Sequence, residues 1–291
     1  SSDVCSSDLG GSVDQVARVL APALQAELKQ NVIVENIGGA SGVIGTSAMS
    51  RSDPDGYTFA VVFDTHGVNP SLKDKLPYDT IKDIAPVILV GTSPMVLVAS
   101  KNSGITSFKQ LVEMSKAGKP FSYGSIGIGS LGHLAMARLA KQAGFDWNHI
   151  PYRGGGPLMQ DALGGQVQLA IGSEFLVKPH IESGSVIPLV ITTAKRVPGL
   201  PNVPTVAESG YPGFQALSWA GISAPKGTPK PVLDKLEAAM VQALQTPEVK
   251  QRLESVGFVV PTPGSAAYVS FLKSEIDQWV SLIKKSGIKP E

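Results

Sequence analysis

The chain has 291 residues, 43% of them hydrophobic and 17% charged, and 25 basic against 24 acidic side chains leave a formal net charge of +1. That length supports about two domains with ordinary cores, and the near-neutral balance argues against a nucleic-acid partner and against a disordered chain. No apolar run approaches the roughly 20 residues of a membrane-spanning helix, and the single cysteine, Cys5, leaves no disulfide framework and no cysteine metal site.

The first nine residues, Ser1–Leu9, show neither a helical nor a strand period. Asp3–Leu9 is also what the tail of a common short-read sequencing adapter encodes, so residues 1–9 are set apart as a non-native leader and left out of the fold reasoning. From Gly10 the pattern is regular. Ser12 with Gln15 three residues on is a capping box, and the stripe Val16, Leu20, Leu24, Leu28 predicts a helix. Asn31–Glu35 predicts a short buried strand, and Gly38–Gly45 a glycine-rich entry to a short helix through Met49. Asp53–Gly56 is a turn before a strand over Tyr57–Phe63. Polar residues Asp64–Asn69, including Thr65 and His66, follow that strand's C-terminal end, the edge at which open α/β sheets gather ligands.

Further strands are predicted over Ile84–Val90 and Pro94–Ala99, and a helix over Phe108–Ser115. The stretch Phe121–His133 then leaves a short strand, crosses a loop of glycine and serine, and enters a helix at Leu131 that runs to a Gly144 cap. Trp147–Tyr152 predicts a strand, Arg153–Pro157 a third glycine-rich helix entry with Pro157 at the first helical position, and Val167–Gly172 a strand followed by Ser173 and Glu174. Ile187–Ile191 and Ser218–Ser223 are strand-like, and two amphipathic helices, Val232–Leu244 and Ala266–Lys285, close the chain. Strands alternating with helices predict α/β domains with largely parallel sheets.

The Phe121–His133 stretch carries the chemistry. Gly127-x-Gly129-x-x-Gly132 has the spacing of a dinucleotide fingerprint. The segment before it is polar, however, and the next strand ends in Tyr152-Arg153 instead of an acidic residue. An NADP-dependent enzyme remains as an alternative, with Arg153 toward a 2′-phosphate. His66, His133, His149 and His180 are too dispersed for a local metal motif, and no nucleophile elbow or phosphate loop is present. What recurs is the helix start preceded by small residues: at Ser12, near Gly42, at Ser130 and at Pro157. Unpaired N–H groups and the positive end of the helix dipole suit a small anion there.

Gly10–Arg18, Val34–Asn36, Gly38–Gly45, Pro54–Tyr57, Leu76–Asp79, Gly127–Leu134, Tyr152–Pro157, Asp161–Gln166, Val203–Glu208, Ala224–Pro229 and Pro247–Val249 occur in one order. In that combination the chain resembles the solute receptors of the tripartite tricarboxylate transporter (TctC/Bug) family over essentially all of residues 10–291. The resemblance implies a two-lobed α/β periplasmic-binding-protein (Venus flytrap) fold. Lobe 1 would be 10–98 plus 220–291 and lobe 2 would be 99–219, with crossings near Val96–Ser100 and Ser218–Ser223. It implies a periplasmic monomer without cofactor or catalysis that takes a small carboxylate-bearing metabolite in the cleft between lobes. Delivery would be to the membrane subunits of the transporter, or the bound state would be signalled to a sensor kinase. Carried over by position, Gly11, Ser12, Thr65 and His66 would face the ligand from lobe 1. Ser125, Gly127, Ser130, His133, Tyr152, Arg153, Gly154, Ser173 and Glu174 would face it from lobe 2. Family members carry a signal peptide and a first strand just before the diglycine. Neither is recognisable here, so the sheet of lobe 1 is expected to lack an inner strand.

Overall fold

The computed structural model describes residues 2–6, 12–73, 75–255, 257–260 and 264–286. Contacts divide the chain into two units, Ser1–Thr92 with Trp219–Glu291, and Ser93–Ser218. The chain passes between them at Thr92–Ser93 and again at Ser218–Trp219.

In the first unit the order β2-β1-β3-β9 makes a mixed sheet of β1 (Ser2–Ser6), β2 (Val32–Asn36), β3 (Thr58–Phe63) and β9 (Leu217–Pro225). β1 is parallel to both of its neighbours, and β3 is antiparallel to β9. The expected gap in this sheet is therefore filled, and it is filled by residues set aside as structureless. An inner slot offers unpaired N–H and C=O groups on both sides, so a segment without strand propensity is recruited through its backbone. β2 corrects a second expectation. It lies at the edge of the sheet and its side chains are half exposed, with Ile33 49% exposed, so it is not a buried strand.

Alternation along β3 splits the core. Phe59 and Val61 pack with Val16, Leu20 and Leu24 of α1 (Ser12–Leu28) and with Met240 of α8 (Lys230–Gln245). Ala60 and Val62 pack on the other face with Met49 of α2 (Val43–Ser50) and with Trp219, Tyr268 and Leu272. Tyr268 and Leu272 belong to α10 (Ser265–Ser286). Asp64–Leu72 forms α3, a helix the sequence does not announce because Gly67 and Pro70 are poor helix formers. Packing on α10 supplies what propensity lacks, and Gly67 sits at that contact, where a Cβ would lie at ordinary van der Waals distance from Glu275 (3.4 Å) and Trp219 (3.5 Å). Glu275 is buried, and its Oε2 accepts from Trp219 Nε1 at 3.2 Å and from Trp279 Nε1 at 3.1 Å.

The second unit has a sheet in the order β8-β4-β7-β5-β6. β4 (Ile84–Ser100) is one continuous strand where two were expected, and it enters from the first unit. β7 (Leu169–Ser173) is antiparallel to β4, while β5 (Ser122–Ser125) is parallel to β7 and to β6 (Asn148–Pro151). β8 (Val186–Ile191) closes the far side. α4 (Phe108–Lys116), α5 (Leu131–Ala143), α6 (Gly155–Gly164) and α7 (Glu174–Glu182) link these strands, with α9 (Pro247–Ser255) in the first unit. α6 begins two residues before Pro157, so the proline occupies the third helical position, still within the turn whose N–H groups need no partner in the helix. Thr192, fully buried, accepts from Met95 N at 3.0 Å and also bonds Ala216 O, so one hydroxyl ties the ends of both connections to the first unit.

Candidate ligand-binding site

Parallel pairing places the C-terminal ends of β5, β6 and β7 along one sheet edge, with Ser125, Pro151 and Ser173 as their last residues. Each end turns into a helix. After β5 the chain uses positive φ at Gly127 (133°) and Gly129 (73°) to fold back under the start of α5. Ser130 caps that helix by accepting from His133 N at 3.4 Å, which leaves the N–H groups of Leu131 and Gly132 at the helix start without helical partners.

The loop is tied from below. Ser130 Oγ donates to Gly127 O at 2.8 Å and lies 3.2 Å from Ser125 Oγ. Gly127 N donates to Ser125 Oγ at 3.3 Å, and Gly129 N donates to His133 Nδ1 at 3.0 Å. Ser125 is fully buried, and its Oγ is 2.7 Å from Nε2 of His149 on β6. Burial, helped by the neighbouring His133, lowers the His149 pKa to about 4. The groups bonded to the loop are thus hydroxyls, amides and neutral imidazoles.

Ser125, Gly127, Ser130 and His133 are brought together in this way. Tyr152 joins them through its backbone, which donates to Ser125 O at 2.9 Å, while its hydroxyl donates to Asp161 at 2.8 Å. Burial first, then Asp161, raises the Tyr152 pKa to about 12, so the phenol stays protonated. Arg153 is exposed, and Gly154 precedes α6 with φ 153°. Ser173 and Glu174 open α7. Glu174 is only 2% exposed, 3.6 Å from Lys178 Nζ, and its carboxylate lies so close to Gly199 that a side chain there would push it aside. Burial raises the Glu174 pKa against the pull of Lys178.

In the first unit Gly11 lies outside the described residues, and Ser12 opens α1. Thr65 and His66 occupy the first turn of α3 and, with Ser41, Gly42, Thr46 and Asn69, line a hollow of about 10 Å³, the room of one water. The hollow is walled by an unusual backbone. Ala40 (φ 50°), Ser41 (57°) and Gly42 (83°) run left-handed into α2, at a cost of about 1–2 kcal/mol for each non-glycine residue. Asn69 Nδ2 holds the turn by donating to Ser41 O at 3.1 Å. His66 stacks on Tyr78 and is 3% exposed, with no hydrogen-bond partner for either ring nitrogen among the described residues, and burial lowers its pKa to about 4. The sequence places Asn69 in the polar stretch after β3 and Ser41 in the Gly38–Gly45 helix entry but assigns neither of them, nor His149, a site role. Asn69 falls one helical turn after His66, but that spacing has meaning only once α3 is known to be a helix.

The chain matches the sequence profile of the tripartite tricarboxylate transporter family receptor over residues 16–288. The chain belongs to that family. Among solved structures, the periplasmic binding protein BugD is 36% identical with a TM-score of 0.89, the match covering 100% of this chain and 98% of that one. Rpa4515 of R. palustris, solved with adipate, is 30% identical with a TM-score of 0.92 over 100% and 98% of the two chains. MatC from Rhodopseudomonas palustris, solved with bound malate, is 30% identical with a TM-score of 0.88 over 97% and 98%. The receptor therefore has the two-lobed α/β fold of periplasmic binding proteins, as the resemblance implied, and is a solute-binding protein of this family.

Proposed function

We propose that the receptor captures a small dicarboxylate in the periplasm and delivers it to the membrane subunits of a tripartite tricarboxylate-type transporter, without catalysis of its own. The observation that carries this reading is the α5 helix start, where N–H donors stand on a glycine loop held by neutral groups. Such a site takes a carboxylate without first breaking an internal ion pair.

Magnitudes favour two carboxylates over one. A hydrogen bond to a charged group contributes about 1.5–3 kcal/mol, so two bonds at α5 reach roughly 3–6 kcal/mol, near the millimolar range. A receptor that works at micromolar solute needs about 8 kcal/mol, and a second carboxylate bound elsewhere supplies the difference. Adipate and malate in the two related structures are both dicarboxylates.

A thermal-shift screen against adipate, malate, citrate, aspartate and NADP tests this. A rise in midpoint with a dicarboxylate, lost in Ser130→Ala, is expected. No shift with any acid together with a shift from NADP would overturn the assignment.

A further inference from the structure

Two imidazoles lie beneath the α5 loop in a parallel stack. The rings of His133 and His149 are 4.0 Å apart at 7°, and Tyr123 also stacks on His149, 5.0 Å away at 30°. The arrangement follows from topology. β5 and β6 pair in parallel with Tyr123 opposite His149, and α5, which connects them, brings His133 over the same sheet face. Each imidazole reaches one end of the loop, His149 through Ser125 and so Gly127, and His133 directly through the Gly129 N–H.

We propose that His149 is a positioning residue for carboxylate binding, which holds the Ser125 hydroxyl and thereby sets the place of the loop backbone that meets the anion. The proposal rests on the reading above that this loop takes a carboxylate. His149 cannot touch the ligand through Ser125 itself, because Ser125 has no exposed surface. Its effect passes through the loop. With Ser125 fixed, Gly127 is bonded at both its N–H and its C=O, and Ser130 donates to that same carbonyl while capping α5. Losing the His149 contact frees the Ser125 hydroxyl to rotate and loosens both of its bonds to Gly127 at once. His133 completes the brace from the other end. Its Nδ1 accepts a hydrogen bond from the Gly129 N–H, which requires the ring's own proton to be on Nε2. Burial first, then the neighbouring His133, lowers the His149 pKa to about 4, so that ring is neutral at neutral pH.

The variants His149→Phe and His149→Gln separate bonding from packing. Phenylalanine keeps the stack and removes the hydrogen bond, while glutamine retains a polar terminus able to reach Ser125. In the ligand-free protein, nuclear magnetic resonance should show the Gly127 and Gly129 amide signals displaced in His149→Phe and near their parent positions in His149→Gln. The His133 ring nitrogens should report the Nε2–H form in the parent. With adipate as probe, calorimetry should show at least tenfold weaker binding in His149→Phe and recovery to within about threefold in His149→Gln. Unmoved amide signals in His149→Phe, or equal loss of affinity in both variants, would overturn the positioning role. If the parent binds no dicarboxylate, the functional reading fails on its own, and the amide signals alone decide whether His149 holds the loop.

Discussion

Replacing Glu275 separates two effects that the structure superimposes. Its carboxylate is the acceptor for two buried indoles, and burial raises its pKa, with the Trp279 and Trp219 bonds opposing and the Asp64 charge adding to the rise. A raised native pKa means that the native state binds more protons than the unfolded chain. Stability contributed by the protonated form is present below the unfolded pKa and falls as pH rises through the window up to the native value. Glu275→Gln keeps an acceptor and removes the ionisation, so it should match the parent near pH 4 and exceed it at pH 8. Glu275→Leu strips the acceptor from both Trp219 and Trp279. At about 1–3 kcal/mol for each orphaned N–H, the loss is roughly 2–6 kcal/mol. Urea denaturation at pH 4, 6 and 8, followed by the fluorescence of these tryptophans, measures both. A glutamine variant less stable than the parent at pH 8 would show that the charge itself stabilises this site, and would refute the reasoning.

Three further outcomes are expected. His66→Phe should flatten the acid side of the stability curve. A pKa lowered to about 4 makes stability fall as pH drops from about 6.5 toward 4, on the order of 3 kcal/mol in all, and denaturation midpoints across that range report it. Rewriting Ser2–Ser6 as an apolar β-branched strand should raise the melting temperature and tighten ligand binding, because strand propensities span about 1 kcal/mol per position. An unchanged midpoint and affinity would mean that the backbone pairing alone sets the contribution of β1. Thr192→Val should cost about 1–3 kcal/mol by leaving the buried Met95 N–H without its acceptor. Faster hydrogen exchange at Met95 is the check.

The elements legible in the sequence are those written in local signals. α5 was placed to the residue because Ser130 caps its start and Gly144, at φ 73°, ends it. α3, α7 and α9 were not, since prolines and glycines obscure the first two and α9 offers only a short stripe, Val249 and Leu253, for burial. The same division runs through the site. Ser125, Gly127, Ser130 and His133 lie within a single motif and could be read together. His149 is 24 residues from Ser125. Its place beside Ser125 depends on parallel register and on a helix crossing over, neither of which leaves a mark in the residues between. The direction of the Ser130 hydroxyl was also hidden, because its bonds to Gly127 and Ser125 arise from loop geometry.

β1 separates ancestry from architecture. The family profile begins to match at residue 16, yet strand pairing begins at Ser2, with five residues in register against β2 and three against β3. Main-chain pairing is open to many sequences, so the sheet stays whole over a range of side chains at β1 while their strand propensity tunes its stability. The head of this receptor is thus writable ground. A spectroscopic label or short epitope placed in those five residues would be carried into the interior of a sheet.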